Sequence, residues 1–230
     1  MLLSLRHGDN TEGSFRKFIC EFMPITNSRE IRALRNSIAL SERQRRILTG
    51  SLLGDGCLIL NSWKKQYRFQ VEQNEAHKDY VYWLYEEFKD FVLSEPTYHP
   101  LVRSWKFRTI SHPDFTEVAS RFYAGRIKIL PKEIGELLNN PLTLAIWAMD
   151  DGCLMPQGSG FTFNTQSFTL EENKKLQECL AKNFGLDFTS LHKDKTRVRL
   201  YVKKVCLDTL HDLLEKHFLQ EFTYKLPKAP

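Results

Sequence analysis

The sequence has few cysteines and no long apolar run. Its five cysteines form no C-x-x-C pair and are odd in number, which argues against a disulfide framework or a zinc ribbon and favours a reducing compartment. It contains no run of about eighteen apolar residues, so no membrane span is expected. Residues 1–6 also lack the apolar segment of a secretion signal. We therefore expect neither secretion nor a membrane partner.

The sequence also has only a small surplus of positive charge. The net charge of +5 points to an anionic partner, although it fits a slightly basic protein without such a partner equally well. Apolar residues make up 42% of the 230 residues, which is enough for a sizeable core in one large domain or two small ones. Composition alone does not choose between these possibilities.

The chain contains one internal repeat. Residues 48–56 read LTGSLLGDG, residues 144–152 read LAIWAMDDG, and each segment continues as Cys-Leu. Each is followed by an alternating strand, a helix, a second alternating strand, a second helix and a lysine before a proline turn. These are residues 67–72, 75–92, 104–110, 113–124 and Lys128, and then residues 161–166, 169–185, 196–202, 205–218 and Lys225. The order predicts a pseudo-twofold pair, residues 41–137 and 138–230, after an N-terminal extension of residues 1–40.

Each repeated segment ends an apolar helix. Ser41 is suited to cap the first helix, which should run to Leu53, and Asn140-Pro141 to open the second. Both helices are apolar nearly all round and should be buried. Small residues would let the two backbones approach closely. These residues are Gly50, Gly54, Ala145 and Ala148.

If the two helices pack together, Asp55 and Asp151 lie side by side at their C-terminal ends. Two carboxylates near helix C-termini repel each other and the local negative charge. A divalent cation removes this conflict, and carboxylate and carbonyl oxygens suit Mg²⁺. Taken singly, each Asp-Gly is better explained as a helix stop with a turn, but two copies in equivalent positions favour a shared site. Cys57 and Cys153 fit strand packing better than metal binding, because Mg²⁺ prefers oxygen.

These segments resemble the paired motifs of the LAGLIDADG homing endonucleases, in the single-chain, two-motif group. The resemblance covers roughly residues 41–227. The tract Met149–Gly152, followed by NTQSF at residues 164–168 and YKLP at residues 224–227, is similar to an intron-encoded subgroup. The resemblance implies an α+β fold made of two αββαββα units. In that fold the motif helices pack at the pseudo-twofold axis and two curved antiparallel sheets form a DNA-binding saddle.

The resemblance also implies the residues of the site. The catalytic set would be Asp55, Asp151, Lys128, Lys225, Glu72 and Gln166. Two or three Mg²⁺ ions would be held by the carboxylates of Asp55 and Asp151, with Gly54 and Asp150 contributing at most backbone carbonyls. The sequence departs from the family pattern at the third motif position, Gly50 or Ile146, and at the sixth, Leu53 or Met149. These departures bear on helix packing and leave the catalytic assignment intact.

Strand alternation predicts which side chains would meet DNA. We expect the apolar positions Phe69, Val71, Trp105, Phe107, Phe163, Val198 and Leu200 to face the helices. The opposite face would carry Arg68, Gln70, Lys106, Arg108, Thr162, Asn164, Arg197, Arg199 and Tyr201. Turn lysines at 64, 65, 193 and 195 would meet phosphates, so Lys193 and Lys195 join the DNA-binding set. The alternative is a solvated sheet face with no partner.

The resemblance therefore implies a monomeric, magnesium-dependent homing endonuclease that cuts a long double-stranded DNA site and leaves staggered ends. One alternative is an RNA-splicing maturase that binds its own intron RNA, alone or together with cleavage. Another is a DNA-binding regulator that uses the same face without chemistry. Retention of both aspartates and both lysines favours cleavage over these two alternatives.

Overall fold

The computed structural model describes residues 28–62, 65–194 and 197–228, with the side chains of residues 193 and 194 excepted. The described residues divide after Ser37, with residues 28–37 in one unit and the described residues from Ile38 onward in another. In the first unit the described element is helix α1, Arg29–Ser37. Most of the expected N-terminal extension lies outside the described residues. This part includes the segment that was predicted to lack a secretion signal. Among the described helices none is long and apolar enough to cross a membrane.

The second unit consists of two runs of elements in the same order, which we call the N-terminal half and the C-terminal half. The N-terminal half contains α2 (Glu42–Leu53), β1 (Cys57–Leu60), β2 (Tyr67–Asn74), α3 (Lys78–Phe88), β3 (Thr97–His99), β4 (Ser104–Arg108) and α4 (Pro113–Phe122). A short hairpin, β5 (Tyr123–Ala124) and β6 (Ile127–Lys128), and helix α5 (Ile134–Leu137) complete it.

The C-terminal half repeats that order. It contains α6 (Pro141–Asp151), β7 (Gly152–Leu154), β8 (Gly160–Phe163), α7 (Leu170–Phe184), β9 (Thr189–Asp194), β10 (Arg197–Lys203) and α8 (Leu207–Leu214). A 3-10 turn, Gln220–Lys225, follows α8 and takes the place of the β5–β6 hairpin. Both halves are therefore αββαββα units, and the predicted α+β fold class is confirmed.

Each half has one antiparallel four-stranded sheet. The strand orders are β1-β2-β4-β3 and β7-β8-β10-β9, so the second strand of each half lies in the middle of its sheet. Phe107 pairs with Val71 in the first sheet, and Leu200 pairs with Phe163 in the second. The apolar partners are buried on the face that the helices cover, as alternation predicts.

Local sequence signals explain where the helices begin and end. Ser41 and Thr169 each form a capping box with the residue three positions on, at the starts of α2 and α7. The Asn140 side chain accepts from the Leu142 N–H, with Pro141 in the first turn of α6. Gly185 ends α7 at φ 67°, a left-handed conformation that favours glycine. These four predicted boundaries are confirmed.

Helices α2 and α6 pack closely against each other in the core. A Cβ atom built on Gly50 would lie 2.5 Å from the carbonyl oxygen of Thr143 and 2.7 Å from Cβ of Ile146. A Cβ on Gly54 would lie 2.4 Å from Cβ of Asp150. The predicted packing of the motif helices is therefore present. The nearest atoms opposite the two glycines are not those of the alanines that sequence analysis singled out.

This close approach makes a prediction about Gly50. The variant Gly50→Ala should lower the free energy of unfolding by about 1–3 kcal/mol, because the added methyl group meets backbone and a branched side chain. Urea denaturation followed by circular dichroism measures this difference.

Gly135→Ala is the matched control. Its added Cβ would lie 3.8 Å from Sγ of Cys179, an ordinary contact in helix α5. We expect that variant to be as stable as the parent or slightly more stable. Equal stability of both variants would contradict the account of the helix interface.

Candidate active site and nucleic-acid interface

The two motif helices deliver two carboxylates to one end of their interface. Asp151 is the last residue of α6, and Asp55 lies in the turn directly after α2. Asp55 is exposed, whereas Asp151 is half-buried. The side-chain amide of Gln73, at the end of β2, donates a hydrogen bond to Oδ2 of Asp55 at 3.0 Å.

The charges of this end of the interface act on one another. Burial and the nearby charge of Asp55 raise the pKa of Asp151 to about 7, against the opposing effect of Lys128 and Lys225. Burial also lowers the pKa of each lysine, while the carboxylates of the site oppose that change. The structure thus brings both predicted acids and both predicted lysines into one electrostatic group.

Lys128 binds the backbone of the turn that carries Asp55. It ends strand β6, and its Nζ donates to the carbonyl oxygens of Gly54 at 2.8 Å and Gly56 at 2.9 Å. The ammonium group therefore holds the backbone on both sides of Asp55. It also occupies one lone pair of the Gly54 carbonyl, which sequence analysis assigned to a metal ion.

Lys225 makes a different contact in the C-terminal half. Its Nζ donates to the carbonyl oxygen of Met149 and, at 3.4 Å, to that of Asp150. Both carbonyls precede Asp151 in the last turn of α6, where backbone oxygens lack helical partners. The two lysines thus occupy related but inequivalent positions, one around the acid and one before it.

Asp150 has its side chain between the helices. Both of its carboxyl oxygens are buried, and the Tyr80 hydroxyl lies beside them. Burial first, and then the charge of Asp55, raise the pKa of Asp150 well above its ordinary value. The side chain fills the space that Gly54 leaves open on the facing helix. A carboxyl group in this position is part of the helix interface.

The register corrects one pairing made from the sequence. Gln70 lies opposite Cys57 in the first sheet, and Thr162 lies opposite Cys153 in the second, so Glu72 is the structural counterpart of Asn164. Glu72 and Gln166 are therefore not equivalent. Glu72 accepts a hydrogen bond from Ser104 Oγ at 2.6 Å. The Asn164 N–H donates to the carbonyl oxygen of Asp151 at 2.9 Å.

Gln73 is a partner of Asp55 that the sequence did not indicate. The predicted first strand ended at residue 72, whereas β2 continues to Asn74 and brings Gln73 to the acid. A prediction that extended the first strand to residue 74 would have indicated this contact. Gln166 has a half-buried position beyond the end of β8.

The N-terminal sheet presents a cationic face. Gln70 pairs with Arg108 and Glu72 pairs with Lys106, so these side chains share the face away from the helices. Burial and the charge of Arg108 lower the pKa of Arg68 on the same face. Arg68 Nε is buried and has no hydrogen-bond partner among the described residues. Two neighbouring guanidinium groups and an unpaired donor suit an anion.

The corresponding face of the C-terminal sheet is more varied. Arg197 and Arg199 are exposed, whereas Thr162 is only 7% exposed. The Tyr201 hydroxyl donates to the carbonyl oxygen of Ser159 at 2.6 Å, and its ring stacks on His192 with centroids 4.5 Å apart. His192 was missed, because no paired histidine spacing marked it. Lys64 and Lys195 and the side chain of Lys193 lie outside the described residues, while Lys65 is exposed.

The donors at the helix ends fit a hard divalent cation. They are two carboxylates and backbone carbonyls, and burial and repulsion disfavour the charged form of one carboxylate in the absence of a cation. No group of three or more histidine, cysteine, aspartate or glutamate side chains suited to a metal occurs in the part of the chain described. Further oxygen ligands would have to come from water or from a phosphodiester.

Comparison with known proteins agrees with this geometry. The model of the LAGLIDADG DNA endonuclease family matches residues 45–210. The chain is 28% identical over 199 residues to the cytochrome b mRNA maturase bI2 of Saccharomyces cerevisiae, an alignment that covers 78% of this chain and 46% of the maturase. The chain thus spans about half the length of that relative. It is 35% identical over 132 residues to the probable intron-encoded DNA endonuclease 3 of Mycosarcoma maydis, which covers 55% of this chain and 96% of that protein.

A solved structure has the same fold. The homing endonuclease I-WcaI, bound to its DNA recognition sequence, matches with a TM-score of 0.78 and 25% identity. The match covers 92% of this chain and 97% of that chain. Membership of such a nuclease family implies dependence on a divalent metal ion. From the family match, the repeated motif and the shared fold, we conclude that the chain belongs to the LAGLIDADG family of DNA endonucleases.

Proposed function

We propose that this chain makes a staggered double-strand break in one long DNA site by magnesium-dependent hydrolysis, acting as a monomer. The observation that carries the proposal is the joint placement of two acids at the α2–α6 ends, each accompanied by a lysine bound to motif-helix carbonyls. A cationic sheet face lies on the N-terminal half, and exposed arginines lie on the C-terminal half. Each half would then act on one DNA strand.

The side chains of the site divide the chemical work. The bound cations would supply Lewis acidity and neutralise charge on the phosphate. Asp55 and Asp151 would hold them. Lys128 and Lys225 would stabilise the negative charge that develops on the phosphate oxygens, since each ammonium interacts electrostatically with Asp55 and Asp151. The Gln73 amide, hydrogen-bonded to Asp55, would fix the orientation of that carboxylate.

The sheet faces would supply specificity. Arginine pairs with guanine, and glutamine or asparagine pairs with adenine, through two hydrogen bonds in the major groove. Arg68, Gln70 and Arg108 on the first sheet, and Arg197 and Arg199 on the second, would make such contacts. Different residues at equivalent positions of the two sheets suit a site whose two halves differ in sequence.

RNA splicing is a second candidate function. The observation in its favour is that two aligned relatives are named as cytochrome b mRNA maturases, at 28% and 27% identity. A chain with both activities would bind its own intron RNA as well as DNA. A regulator that binds DNA without cutting it would bind tightly and give no metal-dependent products.

Neutralising either acid should test the cleavage proposal. The substrate is a supercoiled plasmid that carries the intron-less form of the host gene, with MgCl₂. The variants Asp55→Asn and Asp151→Asn should each lower the rate of double-strand cleavage by about a hundredfold or more, because each removes one metal ligand. Agarose gels of the time course measure linear and nicked products.

Asp90→Asn is the matched control, because it removes an exposed carboxylate outside the site. It should cut as the parent chain does. Absence of cutting by the parent chain, or full cutting by the double variant Asp55→Asn/Asp151→Asn, would count against the proposal. Binding of the intron RNA to the double variant would support the splicing candidate instead.

The raised pKa of Asp151 makes a prediction about stability. The folded protein keeps this proton up to a pKa of about 7, whereas the unfolded chain releases it near pH 4. The stabilisation is therefore complete below about pH 4 and is lost as the pH rises through about 7. In chelator, this group should lower the free energy of unfolding by about 2–3 kcal/mol between pH 5 and pH 8.

The comparison with Asp151→Asn isolates this effect. That variant should lose less stability over the same pH range, and at pH 8 its Tm should exceed that of the metal-free parent by about 5 °C. Added Mg²⁺ should raise the Tm of the parent more than that of the variant. Thermal denaturation curves that depend on pH identically in both proteins would contradict the assignment.

A further inference from the structure

The turn that carries Lys225 is packed against the other half of the protein. Phe222 lies in this turn, Gln220–Lys225, and is only 2% exposed. Its ring stacks on that of His77, with centroids 4.7 Å apart and an interplanar angle of 12°. It also meets the ring of Tyr80 edge-on, with centroids 5.1 Å apart. His77 and Tyr80 belong to the N-terminal half.

The same phenyl ring contacts the ammonium group of the lysine. Lys225 Nζ lies 5.2 Å from the centroid of Phe222, within the range of a cation–π contact. From its own half, the residue preceding the turn makes a weaker contact: the Leu219 N–H donates to the sulphur of Met149 at 3.5 Å. The ammonium group of Lys225 is thus bound by carbonyls of its own half, while the turn that carries it packs through Phe222 against rings of the N-terminal half.

The contact of His77 is made by its ring face. Its Nδ1 is buried and has no hydrogen-bond partner among the described residues. Offset stacking of aromatic rings contributes about 0.5–1.5 kcal/mol beyond the burial of area. A phenyl ring at this position would keep that contact without burying an unpaired nitrogen.

The segment that carries Lys128 makes a corresponding contact with the C-terminal half. Two residues after it, the Leu130 N–H donates to Oε1 of Glu172 at 2.8 Å. Glu172 is in the first turn of α7, in the C-terminal half. Farther along α7, Asn183 donates to the carbonyl oxygens of Gly135 at 2.8 Å and Leu138 at 2.7 Å.

We propose that each active-site lysine is positioned by the opposite half: His77 and Tyr80 position Lys225 through Phe222, and Glu172 positions Lys128 through Leu130. The proposal rests on the catalytic role given to the lysines above. It makes His77, Tyr80, Phe222 and Glu172 positioning residues, because their effect on the phosphate passes through a lysine.

The positioning of each lysine by the opposite half has a functional consequence. Each lysine ammonium lies at the end of a flexible side chain. The backbone of each lysine must therefore be held in place by neighbouring residues. A displacement of about 1 Å in a reacting group can cost about a hundredfold in rate. Loosening one half should therefore slow the cut that depends on the lysine of the other half. It should leave the second cut less affected, and the substrate should accumulate as a nicked circle.

The experiment first establishes which strand each lysine serves. Lys128→Met and Lys225→Met are tested on the plasmid substrate with MgCl₂, and the nicked strand is identified by primer extension. The two variants should favour cuts in opposite strands. If neither changes the rate or the strand, the catalytic role of the lysines is wrong, and the outcome concerns the proposed function.

The positioning variants are then compared with these references. His77→Ala should slow by about tenfold or more the same strand as Lys225→Met does, and Glu172→Ala the same strand as Lys128→Met. His77→Phe should restore the lost rate, since it keeps the stacked ring. Glu172→Gln should restore part of the rate, since its single amide oxygen replaces the two carboxylate oxygens that accept from Leu130 and Thr169.

Two controls separate positioning from stability. Tyr82→Ala removes a ring of the same helix as Tyr80, on the side that packs against Trp105. Lys174→Ala removes the exposed ion pair of Lys174 with Glu171 on α7 and leaves the bond from Leu130 to Glu172 in place. Both controls should keep the strand balance of the parent chain, even if their Tm falls.

Two outcomes would overturn the proposal. One is that His77→Ala and Glu172→Ala slow both strands equally while the lysine variants favour opposite strands. The other is that each positioning variant affects the strand served by the lysine of its own half. DNA binding, measured by gel shift with Ca²⁺ in place of Mg²⁺, should stay within about threefold of the parent chain in every case.

Discussion

The close packing of α2 against α6 is the constraint on which the rest of the structure depends. Gly50 and Gly54 have no side chains to hold the helices apart, so α6 presses its backbone and Asp150 into the space they leave. This approach brings the two helix ends together and sets the distance between Asp55 and Asp151. A wider interface would separate the acids, and a shared site for cations would be lost. The sheets, the lysine-bearing segments and the cationic face are all arranged around this contact.

The two halves share one architecture but differ in the chemistry at its centre. Lys128 binds carbonyls on both sides of Asp55, whereas Lys225 binds carbonyls that precede Asp151. Across the strand ladder, Glu72 corresponds to Asn164, so one half has a carboxylate at the position where the other has an amide. Such differences are compatible with the repeat because secondary structure and burial fix the backbone, while the exposed side chains remain free to diverge.

Much of this arrangement can be predicted from the sequence, and particular residues show which contacts cannot. The capping patterns at Ser41 and Thr169, and the apolar helices that end in Asp-Gly, fix local structure through contacts a few residues apart. The partner of Asp55 was different: Gln73 contacts it only because β2 extends past the predicted end. The stack of His77 on Phe222 joins residues in different halves, and neither has a local pattern that marks it. Contacts of this kind depend on how the halves dock, which periodicity does not encode.

The glycines of α2 also determine which halves can pair. At this interface the glycines of α2 leave open space, and Ile146 and Asp150 of α6 fill it. Two copies of α6 would set branched side chains and buried carboxyls against each other, and two copies of α2 would leave voids. The halves are thus complementary rather than interchangeable, like the two members of an obligate heterodimer joined in one chain. Exchange of sequence between the repeats would erase that complementarity, so the interface itself selects for their continued divergence.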